Sequence, residues 1–432
     1  MGLTIILRDF ATWSTVCGVP HIANAKSLFS LLFWTVIFLS MCTIFVVQFV
    51  GMIETYLSYP TQVVTELEFG RQTFPAITLC NFNPYRNIIA KTHPAGSFPD
   101  EYMNLMAMYS LAIDHKLTGD PYGISNARTT YERDERTRDA LMLLSAQFSP
   151  DDRKPFMYTV SDLIADCTFG GKTCDSEDFT EYLHPVYGNC LTFNGNTNTS
   201  TMHASSRGGR EFGLKILFTI RELSFDQGDV LFLPSTQLSG ARLAIHQQGS
   251  IPPLETTAIN VGIGQMTSVS FAQTETRLMK PPYGKCVDRE SAETDLYKPF
   301  NYTLETCYLG CRQRKAIERC SCINPRYMST LANTSLGLCT PDKVECLQSL
   351  RGNQKQPANS EGHNIDSLTE CSCKPPCLER TYNPTISVAS YLSLDYMVAG
   401  ANESSFVVTG TSLKAVYNCA LTSKMPLDSS RT

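Results

Sequence analysis

Clustered positive charge is absent from this 432-residue chain: Lys and Arg number 36 against 41 Asp and Glu, leaving a formal net charge of -5. Phosphate backbones are held by basic side chains gathered on one face, so nucleic acid is set aside as a partner. Histidine is scarce and scattered. The seven, at positions 21, 93, 115, 184, 203, 246 and 363, include no pair at metal-ligand spacing. Nucleophile-elbow, phosphate-loop and HExxH patterns are also missing, which argues against an enzyme and against a cofactor. A second long apolar run is missing as well. Beyond Arg380 the uncharged stretches are 381–394, 396–402, 404–413 and 415–423. None approaches the roughly 18 apolar residues that a spanning helix needs.

One such run is present near the N-terminus. Residues 27–53 carry no charge, and 28–50 include fifteen Leu, Ile, Phe or Val. As a helix those residues reach roughly 35 Å, against a hydrocarbon core of about 30 Å. The fifteen apolar side chains contribute on the order of -5 to -9 kcal/mol toward insertion, which Ser40, Thr43 and Gln48 offset only in part. A cleavable signal peptide has an apolar region of about 7–15 residues and a small-residue cleavage site, and this run is too long and lacks the site. Arg8 and Lys26 precede the span and Glu54 follows it. The positive-inside rule therefore makes 1–27 cytoplasmic, 28–53 transmembrane and 54–432 extracellular, at the plasma membrane and in contact with lipid.

Of 17 cysteines, fourteen lie between Cys80 and Cys377, with Cys17 and Cys42 before them and Cys419 after. An even set in one segment fits seven disulfides in an oxidising compartment. Structural zinc is the rival, because Cys320-x-Cys322 and Cys371-x-Cys373-x3-Cys377 have ligand-like spacing. The sequons at Asn198, Asn301, Asn333 and Asn402 all follow the span and favour an exported, glycosylated domain. Within that domain, 72–79 (QTFPAITL) reads as a strand running into Cys80. Residues 102–148 carry apolar side chains near helical spacing around a charge-rich stretch, 131–139, expected to be a solvated face. Strand signals return at 214–220, 241–246 and 266–272, separated by Pro and Gly turns. Residues 303–319 read as a helix with Cys307 and Cys311 on one side.

Several motifs, in order, resemble the epithelial sodium channel/degenerin family, which includes acid-sensing and neuropeptide-gated channels. They are TFPAITLCN from Thr73, the pair Cys167 and Cys174, YGNCLTFN from Tyr187, AIH from Ala244, LMKPPYGKC from Leu278, and the array from Cys307 to Cys377 ending CKPPC. The resemblance covers about residues 14 to 382 and is carried by the ordered set, each motif alone being weak.

It implies an α+β membrane protein: one transmembrane helix and a disulfide-rich clenched-hand ectodomain with palm β-sheet, finger and thumb helices. Residues 72–283 would form palm, finger, knuckle and β-ball, and 284–382 the cysteine-rich thumb. The pairings implied by position are Cys80–Cys190, Cys167–Cys174, Cys286–Cys377, Cys307–Cys373, Cys311–Cys371, Cys320–Cys346 and Cys322–Cys339. A gating wrist would join Tyr59 to Tyr283, although Tyr59 can equally be an interfacial tyrosine with no partner. Cys17-Gly18 stands where the family has a cytoplasmic His-Gly gating motif, with Cys in the place of His.

The resemblance also implies homologous subunits assembled as a trimer, an extracellular ligand such as a proton or peptide, and amiloride-sensitive sodium conduction. Residues 383–432 match the family poorly and supply no second transmembrane helix. A sodium channel subunit, conducting only with a complete pore, is the leading expectation. A non-conducting, receptor-like or dominant-negative partner is the alternative.

Overall fold

The computed structural model describes residues 2–67, 72–86, 94–114, 118–196, 202–205, 207–220, 238–288, 297, 300–327, 336–350 and 371–390. They belong to two compact units, Met1–Leu67 with Lys280–Lys285, and Glu68–Met279 with Cys286–Thr432.

The first unit is helical. Gly2–Trp13 and Val19–Ala23 precede a 30-residue helix, Leu28–Leu57, whose side chains are nowhere buried and whose mean hydropathy reaches 2.4. Ser27 caps it by accepting a hydrogen bond from the Ser30 N–H at 3.2 Å. Its hydroxyls are satisfied internally: Thr35, Ser40, Thr43 and Thr55 donate to carbonyls three or four residues back. Hydrocarbon offers no other partner, so this back-bonding removes most of the cost of polar residues in a span. At about 45 Å the helix is longer than the core is thick, and it carries Glu54 and Thr55 past the apolar run.

In the second unit the central sheet has five antiparallel strands, in the order Ile259–Gly262, Gly240–His246, Ala76–Asn81, Gly188–Phe193 and Phe179–His184. The single strand expected over 72–79 is broken. Gln72–Thr73 pairs with Ala204–Ser205, and Ala76–Asn81 enters the sheet after Pro75, which has no N–H to give to a ladder. Ala76–Asn81 and Gly188–Phe193 are buried along their whole lengths, so both faces of the central strands are covered. A polar column runs through this interior. Thr78 Oγ1 lies 2.8 Å from both Thr192 Oγ1 and His246 Nε2, and His246 Nδ1 lies 3.1 Å from Ser250 Oγ.

Ile164–Phe169 lies between Lys172–Thr173 and Leu214–Phe218 in a smaller sheet. Gln265–Arg277 and Leu378–Ser390 form a two-stranded ribbon in register from end to end, passing residue 382 without interruption.

The helical stretch expected over 102–148 is two helices, Phe98–Ile113 and Thr130–Ala146, and its charge run is not a solvated face. Asp134, Arg136 and Asp139 are buried, because each has a partner. Tyr109 Oη donates to Asp134 at 2.8 Å, and burial with that bond pushes the phenol up to about 12. Arg136 donates to the Gly123 carbonyl at 2.7 Å and to Glu132 at 2.8 Å, and Arg326 donates to Asp139 at 3.1 Å. Periodicity reports which positions are apolar, and it cannot report a charge made tolerable by a distant partner. Phe98, Tyr102, Leu105, Leu141 and Leu144 share one core with Ala316, Cys320 and Leu347.

His246 is 6% exposed and burial holds its pKa down to about 4. An unfolded histidine takes its proton near pH 6.5. Between those values the unfolded chain binds the extra proton, so stability falls as pH falls, by about 2 kcal/mol at pH 5. Unfolding measured at neutral pH and at pH 5 should register that loss, and His246→Gln should reduce the slope without abolishing it, because burial holds the His184 ring down to about 4 as well. An unchanged slope in the variant would mean that His246 does not carry it.

Candidate functional site

The cysteine-dense module is built on the helix Leu304–Cys320. Thr303 caps it, its hydroxyl accepting from the Thr306 N–H at 3.1 Å. Cys307 and Cys311, one turn apart, are bonded to Cys373 and Cys371, with Cα separations of 5.9 and 6.1 Å. The C-terminal end is held by Cys320–Cys346 and, just beyond it, Cys322–Cys339, at 5.9 and 5.0 Å. Cys286–Cys377 closes the base at 4.8 Å beside a parallel bridge between Val287 and Pro376. Elsewhere Cys80–Cys190 joins two central strands at 4.4 Å, and Cys167–Cys174 closes a hairpin at 5.4 Å. With those fourteen sulfurs in disulfides, the thiolates that a structural zinc would need at Cys320, Cys322, Cys371, Cys373 and Cys377 are not available. Cys17 and Cys42 are free and exposed, and Cys419 lies outside the described residues.

Two features of the first unit concern the apolar helix. At its end Tyr59 takes a left-handed backbone, φ 48°, and its ring meets Tyr283 edge to face with centroids 5.2 Å apart at 81°. An aromatic pair of this geometry contributes about 0.5–1.5 kcal/mol beyond its buried area. Near the other end, Gly18 is buried at φ +99°, and a Cβ there would lie 3.3 Å from Phe38 Cδ2. His21 stacks on Trp34 at 4.2 Å. Phe38 stands about 15 Å along the axis from Leu28, so the Cys17-Gly18 turn lies beside the helix and not beyond its end. Sequence reasoning missed this contact; the only signal was a glycine between two short helical segments.

Of the sequons, Asn301 is half-buried, with Nδ2 donating to the Gln248 carbonyl at 3.3 Å and its N–H to Gly249 at 2.8 Å. Asn198, Asn333 and Asn402 lie outside the described residues. Two elements of the second unit escaped the sequence altogether. Arg326 reaches both Asp139 and Glu255, at 3.1 and 3.3 Å. Burial holds the His184 ring down to about 4.

Alkylation of the denatured, unreduced chain should label Cys17, Cys42 and Cys419 and leave the fourteen cysteines from Cys80 to Cys377 unlabelled, read by peptide mass mapping. Replacing one cysteine pair of the module on the helix Leu304–Cys320 by Ser should cost about 2–5 kcal/mol. Label on Cys320, Cys322 or Cys371 in surface-delivered protein would contradict the ladder.

Comparison with known proteins agrees over nearly the whole chain. The family model described as amiloride-sensitive sodium channel matches residues 10–417, so the family resemblance runs past residue 383, where a poor match was expected. Degenerin-like protein asic-2 of Caenorhabditis elegans is 42% identical across 92% of this chain and 71% of its own length. Degenerin mec-4 of Caenorhabditis briggsae is 28% identical across 60% of this chain, and the match spans only 31% of that relative. The epithelial sodium channel subunit beta of Xenopus laevis is 26% identical across 85% of this chain and 66% of its own length. An apolar N-terminal helix, a disulfide-rich domain of mixed helix and strand, and a match of this extent lead to one conclusion: the chain belongs to the amiloride-sensitive sodium channel family.

Proposed function

We propose that the chain is a subunit of a ligand-gated, amiloride-sensitive sodium channel, assembled with homologous subunits as a trimer in the plasma membrane. Residues 1–27 would face the cytoplasm and the domain after residue 54 the outside. An extracellular proton or peptide would act on the finger and palm, 72–283, or on the thumb, 284–382. The observation that carries this reading is the edge-to-face contact of Tyr59 with Tyr283. Tyr59 ends the spanning helix, and Tyr283 sits in a loop covalently continuous with Cys286 and the stapled module. Movement of that loop can therefore bias the helix end, provided the two states differ in this contact.

The described residues hold one helix long and apolar enough to cross a membrane. Selective conduction needs a constriction lined by carbonyls or charged groups, which Leu28–Leu57 does not supply. Sodium conduction therefore requires a completed pore. For the same reason, a non-conducting partner that modifies complete channels is the second reading.

Voltage clamp separates these readings, once surface biotinylation has established display. The 432 residues expressed alone should pass no amiloride-blocked sodium current; such a current, without a full-length subunit, would overturn the account. Co-expressed with a complete subunit, the chain should change current amplitude or gating, and no change would remove both readings. In a chimera carrying a complete pore, Tyr59→Ala and Tyr283→Ala should each weaken gating. Their double mutant should lose less than the sum, by about 0.5–1.5 kcal/mol. Additive losses would leave Tyr59 as a membrane-interface residue only.

A further inference from the structure

The N-terminal helix Gly2–Trp13 turns its polar side to the protein and its apolar side away from it. At the helical period Ile6, Leu7, Phe10 and Trp13 fall on one side, and Arg8, Asp9 and Thr12 on the other. All four apolar side chains are exposed, at 64, 57, 72 and 85%. Among the described side chains of this helix only Ala11 and Thr12 are half-buried. The helix therefore meets its own unit, where the short helix Val19–Ala23 lies against it, on the side opposite the apolar stripe. Ile5 is the exception, an apolar residue on the polar side. A surface helix of a domain in water does the reverse and buries its stripe against the core.

We propose that Gly2–Trp13 lies in the plane of the membrane surface, with this stripe in the boundary between lipid headgroups and acyl chains. Continuity with the spanning helix selects lipid as the occupant. Beyond Trp13 the exposed Val16 leads to Gly18, which packs on Phe38 within the apolar run. Five residues separate Trp13 from Gly18, a reach of at most about 18 Å, so the end of the helix stays close to the span. Length excludes a crossing, because twelve residues make a helix of about 18 Å against a core of about 30 Å. Composition agrees: Trp and Phe settle at headgroup level, and the charges of Arg8 and Asp9 cancel, so the attraction is apolar and needs no anionic lipid. A second copy covering the stripe is the rival, and the experiment separates the two.

The inference rests on the spanning helix and not on conduction, so its test needs no current. The chain has two tryptophans, Trp13 on the stripe and Trp34 on the spanning helix. Trp34→Phe leaves Trp13 as the sole emitter and keeps a ring for His21 to stack on. With the full chain in phosphatidylcholine nanodiscs, Trp13 should lose most of its emission to lipid brominated at the headgroup end of the acyl chain. It should lose less to lipid brominated at the chain terminus, and little to iodide in the buffer. Phe10→Glu in that background should make Trp13 severalfold more sensitive to iodide, because lipid rejects a charged stripe, whereas Asp9→Asn on the polar side should not.

Trp13→Phe keeps the His21–Trp34 stack, and subtracting its signal from that of the unsubstituted chain isolates Trp13 if Trp34→Phe fails to fold. The Trp34 that remains in Trp13→Phe should be quenched by brominated lipid too; failure there would remove the spanning reading and the proposal with it. Four results would overturn the proposal alone. Iodide quenching as strong as for free tryptophan would put the stripe in water. Strongest quenching from the chain terminus would put it deep in the core, and quenching by neither agent would put it against protein, a second copy included. The fourth is an iodide sensitivity that Phe10→Glu leaves unchanged.

Discussion

The helix Leu304–Cys320 is stapled at both ends, and the rest of the cysteine-dense module depends on that constraint. Two bonds one turn apart tie its N-terminal half to the irregular segment 371–377, and two more tie its C-terminal end to 339–346. The module needs them because little of the helix is apolar enough to hold it. Of its residues, Thr306, Gly310, Gln313, Ala316 and Cys320 are buried, and Gln313 is buried completely, spending its amide on the backbone of Asn324 and Tyr327. Crosslinks that shrink the unfolded ensemble take the place of a large local core.

The same module reaches its neighbours through charge. Arg326, just past the stapled helix, pairs with Asp139 on the helix Thr130–Ala146 and with Glu255 in the loop between the strands Gly240–His246 and Ile259–Gly262. Removing either partner from a largely buried pair leaves a charge without compensation, a larger loss than the pair's net contribution while intact. These contacts make the relative placement of three elements interdependent. That interdependence is what a domain needs if a local event is to be felt elsewhere.

In the helical unit the constraint is aromatic. Tyr59 holds a left-handed backbone at the helix exit, which costs a non-glycine residue about 1–2 kcal/mol, and its ring contact with Tyr283 offsets part of that cost. On the N-terminal side of the apolar helix only glycine fits where Gly18 packs on Phe38, because the backbone is left-handed and the side chain is already in contact. Cys17, next to it in sequence, is free and exposed.

Much of this protein was legible in its residues. The apolar run at 28–53 announces the helix Leu28–Leu57 because hydrocarbon selects on length and polarity alone. Thr303 and the spacing of Cys307 and Cys311 announce the stapled helix because capping and the 3.6-residue period are local. The break at Pro75 could have been read from the missing N–H and was not. What the tertiary structure alone decided are the matters that depend on partners distant in sequence. Asp134, Arg136 and Asp139 are buried because Tyr109, Gly123 and Arg326 meet them, and a charge run with no known partner reads as surface. Gly18 is pressed against Phe38 for the same reason. Periodicity and composition describe a residue's own preference, whereas these positions are set by which side chain the fold brings opposite them.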